Sequence, residues 1–462
     1  MSPPCPWSAH NEPLYFAPPY GIWDNERLLN IWQDKEYGEI RPQPFSNPSS
    51  GTPTHPAFLS KNQHESSPQE DEVLSDFSDI TDADTIILQD VPEAEALPIS
   101  DEDFVSRVKG ALELQGKCKT SNVGRRQARR ILQLLQLALP ASPSEALQLS
   151  SDEARAQVDT GRFVSTPIIT ENEQSLPLHT VAQFLDEYYD DTATVSIQDP
   201  AIRLSRNIPS VRTVTVAQLK KRFCEPDPNA NAPWNCLELA THVDDGLRPA
   251  FLNHEESRLL TKLKLPNTKD SASRRHYEPG WKEVEKWALL AQAGALTEPH
   301  QDSHGYNTYI TVNQGIIGFG WLSSPTPEER RAWCRNPMTF VGGKWRYKVL
   351  RPGQTVYFPS GTVHFVFRLK AAGDTLAFGG HVLRCSQIVH WVETMLEEKA
   401  GSDITNEELT VSALAYLERV ERFVRQALKT GQVEKWGGAA SIRRFLALKQ
   451  KFMKICEVVH RS

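Results

Sequence analysis

The sequence predicts an α+β protein: a β sandwich or barrel with flanking helices, preceded by a disordered N-terminal region. Three observations carry this. From Trp281 to Cys385 short apolar runs alternate with period two and are separated by Gly and Pro turns. Leucine-rich and mixed segments on either side repeat with helical spacing. Hydrophobic residues make up 39% of the 462-residue chain and mean hydropathy is −0.46, low for a chain that folds throughout.

Residues 1–105 read as disordered. "PQPFSNPSSGTPTHPAF" is rich in Pro, Ser and Thr, and Glu70 to Asp103 holds 13 acidic residues with no Lys or Arg. The acidic block encloses the apolar islands "TIILQ" and "EALPI", so it is either a solvated tail or a docking segment for a basic partner. Residues 106–175 read as a short basic amphipathic helix and a linker. "VGRRQARRILQLLQLALP" sets Arg125, Arg126, Arg129 and Arg130 before a leucine-rich helix that Pro140 ends, and the expectation is a packed helix with a solvated basic end. Nuclear import or nucleic-acid contact is the alternative use of that end. The Ser- and Ala-rich sequence over 141–160 reads as a further linker.

Residues 176–234 read as a helical and strand extension of the main domain. "TVAQFLDEYYDD" has the pattern of a short helix, "ATVSIQD" of a strand, and "TVTVAQLKKRFCEP" of a helix entry. The main domain, 235–400, holds the alternating runs "KWALLAQAG", "YNTYITVNQGIIGFGWL", "YKVLRPGQTVYFP", "VHFVFRL" and "DTLAFGGHVLRC", with a helical insertion at "PTPEERRAWCR". Residues 401–462 read as helical: "TNEELTVSALAYLERVERFVRQALKTG" with an N-cap at Thr405 or Asn406 and a closing Gly431, then "SIRRFLALKQKFMKICEVV".

Composition narrows the function classes. A net charge of −7 argues against a generally basic nucleic-acid binder, so direct nucleic-acid binding is not expected. Seven scattered cysteines without a CxxC pair read as reduced thiols of a nuclear or cytoplasmic protein. No apolar run approaches the roughly 20 residues of a membrane span, and "MSPPCPWSAHNEP" lacks the charged-then-apolar order of a signal peptide.

The chemistry concentrates in "TEPHQDSHGYNTYITVNQG", residues 297–315. Positions i and i+2 of a strand point the same way, so His300 and Asp302 project together, as two ligands of one metal ion must. By itself H-x-D also fits a polar strand edge. The third candidate is His364 in "RPGQTVYFPSGTVHFVFRL", where a tight Ser360-Gly361 turn returns the chain into a strand that begins near the histidine. Two His and one carboxylate form the facial triad that leaves positions on iron(II) open for a cosubstrate and oxygen.

These segments together resemble the JmjC (jumonji C) family of iron(II)- and 2-oxoglutarate-dependent oxygenases. The resemblance rests on the Thr-x-x-His-x-Asp order in "TEPHQD", the Pro-Gly turn with "FPSGTVH", and the strand "LAFGGHVLRC"; "PWNCLEL" and "KWALLAQAGALTEPHQD" add to it. It covers about residues 235–400, more loosely 176–235, and is nearest the branch containing lysine demethylases. It implies a double-stranded β-helix (jelly-roll, cupin-like) barrel, with His300, Asp302 and His364 as iron ligands and Thr297 hydrogen-bonded to a carboxylate of 2-oxoglutarate. It also implies oxidation of a protein substrate by O2: N-methyl-lysine demethylation, a histone tail being favoured, or a stable side-chain hydroxylation. A nuclear location follows from the histone reading, a cytoplasmic one otherwise.

One departure stands out. Family members carry a Lys two residues after the Gly that ends the strand following the His-x-Asp pair; here the Gly is Gly315 and the position holds Ile317. A dianion in a dry pocket needs a cation or several donors. Asn307, Tyr309 and Thr311 on that strand, or Lys344 and Arg346 beyond it, are the candidates, with Asn307 and Tyr309 taken beside Thr297 as cosubstrate contacts. The same loss is also the mark of a catalytically silent interaction module. A cupin of another type would use His304 as a ligand. His304 otherwise reads as a hydrogen-bonding neighbour, His381 as a group behind the ligands and His390 as a structural helix residue. Trp321, Trp333, Trp345, Tyr357 and Phe358 read as core or pocket wall, not as a cage for a methylated ammonium.

Overall fold

The computed structural model describes residues 99–119, 122–174, 177–203, 211–225, 232–241, 246–264, 285–401, 403–405 and 412–459. The readings made for residues 1–98, for the onset at Trp281 and for a cap at Asn406 lie outside the described residues.

The described chain opens with a helical pair. Helix α1, Asp101–Gly116, starts where the Ser100 hydroxyl accepts from the Asp103 amide at 3.1 Å, and three acidic residues fill its first turn. It therefore begins inside the stretch read as disordered, because Phe104, Val105, Val108 and Leu112 form one buried face. Helix α2, Val123–Leu137, is capped by Asn122 and buries Ala128, Ile131, Leu134 and Leu135. Its basic end is not simply solvated. Arg129 donates to the Gly116 carbonyl at 2.9 Å, Arg126 pairs with Glu298 at 3.0 Å, and buried Arg130 donates to the carbonyls of Pro337 and Phe340. The stretch 141–160 is not a plain linker. Helix α3, Ser151–Asp159, forms there on a Ser150/Glu153 capping box, with Ala154 and Val158 fully buried.

Among the described residues the strands form two sheets. The first strands are β1 (Leu139–Pro140), β2 (Leu147–Gln148), β3 (Ile168–Glu171), β4 (Thr194–Gln198), β5 (Val211–Thr215) and β6 (Asn235–Ala240). Helices α4 (Val181–Tyr188) and α5 (Val216–Cys224) lie where their patterns predict, each opened by a Thr–Gln capping box, and the short α6 spans Leu259–Lys264. Then come β7 (Trp287–Ala291), β8 (Thr297–His300), β9 (Asn307–Gln314) and β10 (Ile317–Ser323). Helix α7 (Pro327–Arg335) is the predicted insertion, followed by β11 (Lys344–Leu350), β12 (Gln354–Phe358), β13 (His364–Phe367) and β14 (Thr375–Val382). One sheet runs β1-β11-β10-β13-β8 and the other β2-β3-β12-β9-β14-β7-β6-β4-β5. Most pairings are antiparallel and neither sheet closes on itself among these residues.

The two sheets share one apolar core. Ile317, Phe319, Trp321, Leu350 and Val366 from the first meet Leu289, Ile310, Val312, Val356, Phe358 and Ala377 from the second. Period-two alternation sends the intervening residues outward. Phe365 and Phe367 thus pack with α1 and α2 beneath Trp345, Tyr347 and Val349. Gly318 and Gly320 make room for those rings, since a Cβ on Gly320 would lie 2.2 Å from Phe365 Cζ. Gly315 turns β9 into β10 with φ of 81°, where a Cβ would come within 2.5 Å of the Asp374 carbonyl.

Helices α8 (Ile388–Ala400), α9 (Ser412–Thr430) and α10 (Gly438–Val459) follow and share a core with Tyr306, Leu383 and α6. The helix expected to start from a cap at Thr405 is described only from Ser412. Residues 406–411 lie outside the described residues, and Thr405 bridges to Gln301, beside the candidate ligands.

Candidate metal centre

Strands β8 and β13 are antiparallel neighbours, and their register sets His300 directly opposite His364. The rings lie 4.3 Å apart between centroids. Asp302, two residues past His300, brings Oδ1 to 3.7 Å from Nε2 of each histidine. One ligand atom from each of the three lies within 4.8 Å of the others. A cation with bonds of about 2.1 Å holds neighbouring donors about 3.0 Å apart, so the three ligand atoms would draw together around an ion. Both imidazoles are buried and the Asp302 side chain is only 12% exposed.

The proton positions follow from the partners. His300 Nδ1 lies 2.8 Å from the Glu298 carbonyl and His364 Nδ1 lies 3.1 Å from the Thr362 carbonyl. A carbonyl can only accept, so each Nδ1 donates, and in the neutral ring each Nε2 then keeps its lone pair for the Asp302 side. The motif is the same at both sites: a carbonyl two residues before the histidine fixes its tautomer. Asp302 Oδ2 accepts from the Thr308 hydroxyl, and Thr308 Oγ1 lies 3.0 Å from His381 Nδ1. Burial acts to raise the Asp302 carboxyl, but His364, His381 and His300 in their protonated forms, with the Thr308 hydroxyl, together hold it below the usual carboxylate range. Phe319 stacks on His364 at 5.5 Å and Phe358 lies 4.7 Å from it, forming an apolar wall.

The turn before His364 is held to the strand of His300 by one side chain. Arg330 of α7 donates to the Gly361 carbonyl at 2.7 Å, to the Gln301 side chain, and to Glu397 Oε2 at 3.0 and 3.1 Å. Gly361 has φ of 74°, which suits the tight turn read from the sequence.

The other candidates divide by face. Thr297 points into the inter-sheet core, opposite Val366, and accepts from Asn235 Nδ2 at 3.1 Å. Asn307 and Tyr309 are not brought to the triad. They alternate with Thr308 and Ile310, so their side chains leave from the other face of β9. Asn307 donates to the Val382 carbonyl and accepts from the Ser360 amide, both at 3.1 Å, while Tyr309 donates to the Glu285 carbonyl at 3.1 Å among Phe251 and Tyr357. Thr311 shares that outer face and bonds Thr355 at 2.7 Å. Lys344 is exposed, and Arg346 pairs with Glu145 at 2.7 Å, pulling that carboxyl down to about 2. Ile317 is buried in the inter-sheet core.

His304 lies outside the ligand group. Its backbone has φ of 59°, its Nδ1 lies 2.8 Å from Ser303 Oγ, its amide donates to Glu398 at 2.8 Å, and its ring stacks on Tyr306. His381 stands behind Asp302 through Thr308. His390 lies on α8, its Nε2 3.1 Å from the Ser360 carbonyl. Of the five aromatics, Trp321 pairs in register with His364 and Phe358 contacts it, whereas Trp333 and Trp345 belong to the helix-covered core and Tyr357 to the opposite face. Sequence reasoning did not single out Thr308, Arg330 or the buried Arg368. Thr308 carries a usable signal, the strand alternation that makes it the first inward position after Asp302.

Compared with the models of known protein families, the chain matches none.

Proposed function

We propose that the chain is an iron(II)- and 2-oxoglutarate-dependent oxygenase of the JmjC type acting on a protein. In this reading the two facing sheets are the halves of a double-stranded β-helix. A histone N-methyl-lysine is the favoured substrate, which would place the protein in the nucleus, and side-chain hydroxylation is the alternative outcome. The observation that supports it is the nearly dry His300, Asp302 and His364 set, with both Nε2 lone pairs held toward one point. Two imidazoles and one carboxylate are the donor chemistry of a facial triad, so these residues fit iron(II).

Bound there, iron(II) with 2-oxoglutarate supplies the oxidising chemistry that side chains lack. The rest is the work of the chain. His300 and His364 present neutral nitrogens and Asp302 one negative charge. Thr308 orients Asp302, and Phe319, Phe358 and Trp321 keep water from one side of the centre. Thr297 accepts from Asn235 and retains its own hydroxyl proton to donate to a carboxylate.

Ile317 motivates a second reading, a catalytically silent module of the same fold, because a buried alkyl group stands where the family carries its cation. Turnover of 2-oxoglutarate to succinate, measured with iron(II) and ascorbate, separates the two. The enzyme reading expects succinate from the wild type and none from His300→Ala. Wild-type protein that holds iron without forming succinate supports the module.

A further inference from the structure

We propose that Arg368 forms, with Thr375, an anion subsite at the inner end of the inter-sheet core, taking the distal carboxylate of a dicarboxylic acid whose other end reaches the metal centre. The proposal rests on the reading of that centre given above and names the cation the chain uses in place of the one missing at Ile317.

Arg368 continues β13 beyond Phe367. His364, Val366 and Arg368 alternate with Phe365, Phe367 and Leu369, which pack against α1 and α2, so the Arg368 side chain leaves from the face that carries the metal ligand. The β10–β13 register pairs Gly318 with Phe367; one step further sets Arg368 beside Ile317, on the same face. The cation has moved one strand across at the same level of the core.

Arg368 is 3% exposed, and among the described residues its guanidinium has no charged partner. Its Nε donates to Thr375 Oγ1 at 2.7 Å and its Nη1 lies 3.5 Å from the Ala295 carbonyl. Its Nη2 makes no hydrogen bond, and no carboxylate pairs with it among the described residues. Asp374, the nearest acid in sequence, turns its carboxylate to the Ala293 amide at 2.8 Å. Burial alone acts on Arg368 and pulls it down to about 10. An unpaired cation in such a place is unfavourable unless an anion joins it. Arg presents its donors in a planar fork matched to a carboxylate. Further unpartnered donors face the same core: the indole N–H groups of Trp321, in register with His364, and of Trp287.

Four residues of strand, about 13 Å between Cα atoms, separate His364 from Arg368. An acid with one carboxyl group engages only one end of that interval, whereas a dicarboxylic acid engages both.

The test compares two keto acids of the same chain length on manganese(II)-loaded protein by calorimetric titration. 2-Oxoglutarate carries the distal carboxylate; 2-oxopentanoate has the same chelating head without it. Wild type is expected to prefer 2-oxoglutarate by about 10- to 100-fold, the range of a hydrogen bond to a charged group. Arg368→Met and Arg368→Gln are expected to bind the two acids equally while keeping manganese and 2-oxopentanoate affinity. Ligand-free Tm of Arg368→Met should be no lower than wild type, since an unpaired buried cation is removed. A preference that survives in both variants overturns the proposal, as does failure of both to fold, which makes Arg368 a structural pin. Wild type that holds manganese but does not distinguish the acids overturns the subsite and leaves the metal centre standing; wild type that takes up no manganese overturns both.

Discussion

His300 and His364 face each other across the β8–β13 pair, their ring centroids 4.3 Å apart. Main-chain pairing therefore sets the distance between the two nitrogen ligands, and the carbonyls of Glu298 and Thr362 set their tautomers. The fold builds most of the centre before any ion arrives. Only Asp302, on the irregular chain after β8, depends on side-chain contacts for its position.

Thr308 is the contact that places it. Thr308→Val keeps the shape and removes the hydroxyl that donates to Asp302 Oδ2. Loss of a hydrogen bond behind a metal ligand costs about 10- to 100-fold in affinity. The variant is expected to fold as wild type and to bind iron(II) weaker by that factor in an anaerobic competition titration.

Arg330 ties the Ser360-Gly361 turn to Gln301 and Glu397. Arg330→Met strands Glu397, which is only 22% exposed, and frees the turn that leads to His364. Urea denaturation should show a loss of about 1–3 kcal/mol, the cost of leaving buried polar groups without partners. Lys in its place recovers only part of this, because one ammonium cannot match three directed contacts.

His390 gives the fold an acid-side weakness. Burial lowers its pKa from 6.5, against smaller raising contributions from Ser360, Glu397 and Glu393. The unfolded chain binds the proton more readily, so stability is intact above about pH 6.5 and is lost as pH falls from there through the folded pKa. His390→Phe, which keeps an aromatic ring beside Phe163, should flatten the Tm profile across that window.

The triad was legible in the sequence because it needs only local rules: period two joins His300 to Asp302, and one tight turn precedes His364. Helices α4 and α5 were legible for the same reason. Which face of β9 turns inward was not legible. Alternation separates Thr308 from Asn307 and Tyr309, but only packing against the second sheet decides that Thr308 meets Asp302 while Asn307 is held by Val382 and Ser360. Arg368 was hidden because its meaning lies in the neighbouring strand, beside Ile317. The α3 capping box was present as Ser150 and Glu153, but Ser- and Ala-rich composition masked it. The basic run in the first turns of α2 reads as a surface feature until the fold brings the carbonyls of Pro337 and Phe340 to Arg130.

Iron content per chain after anaerobic reconstitution and desalting bears most directly on the centre formed by these three side chains. Wild type is expected to retain a single iron(II) per chain, and His364→Ala, with its fold intact by circular dichroism, to retain none. Equal retention by the variant, or none by wild type, would contradict the assignment.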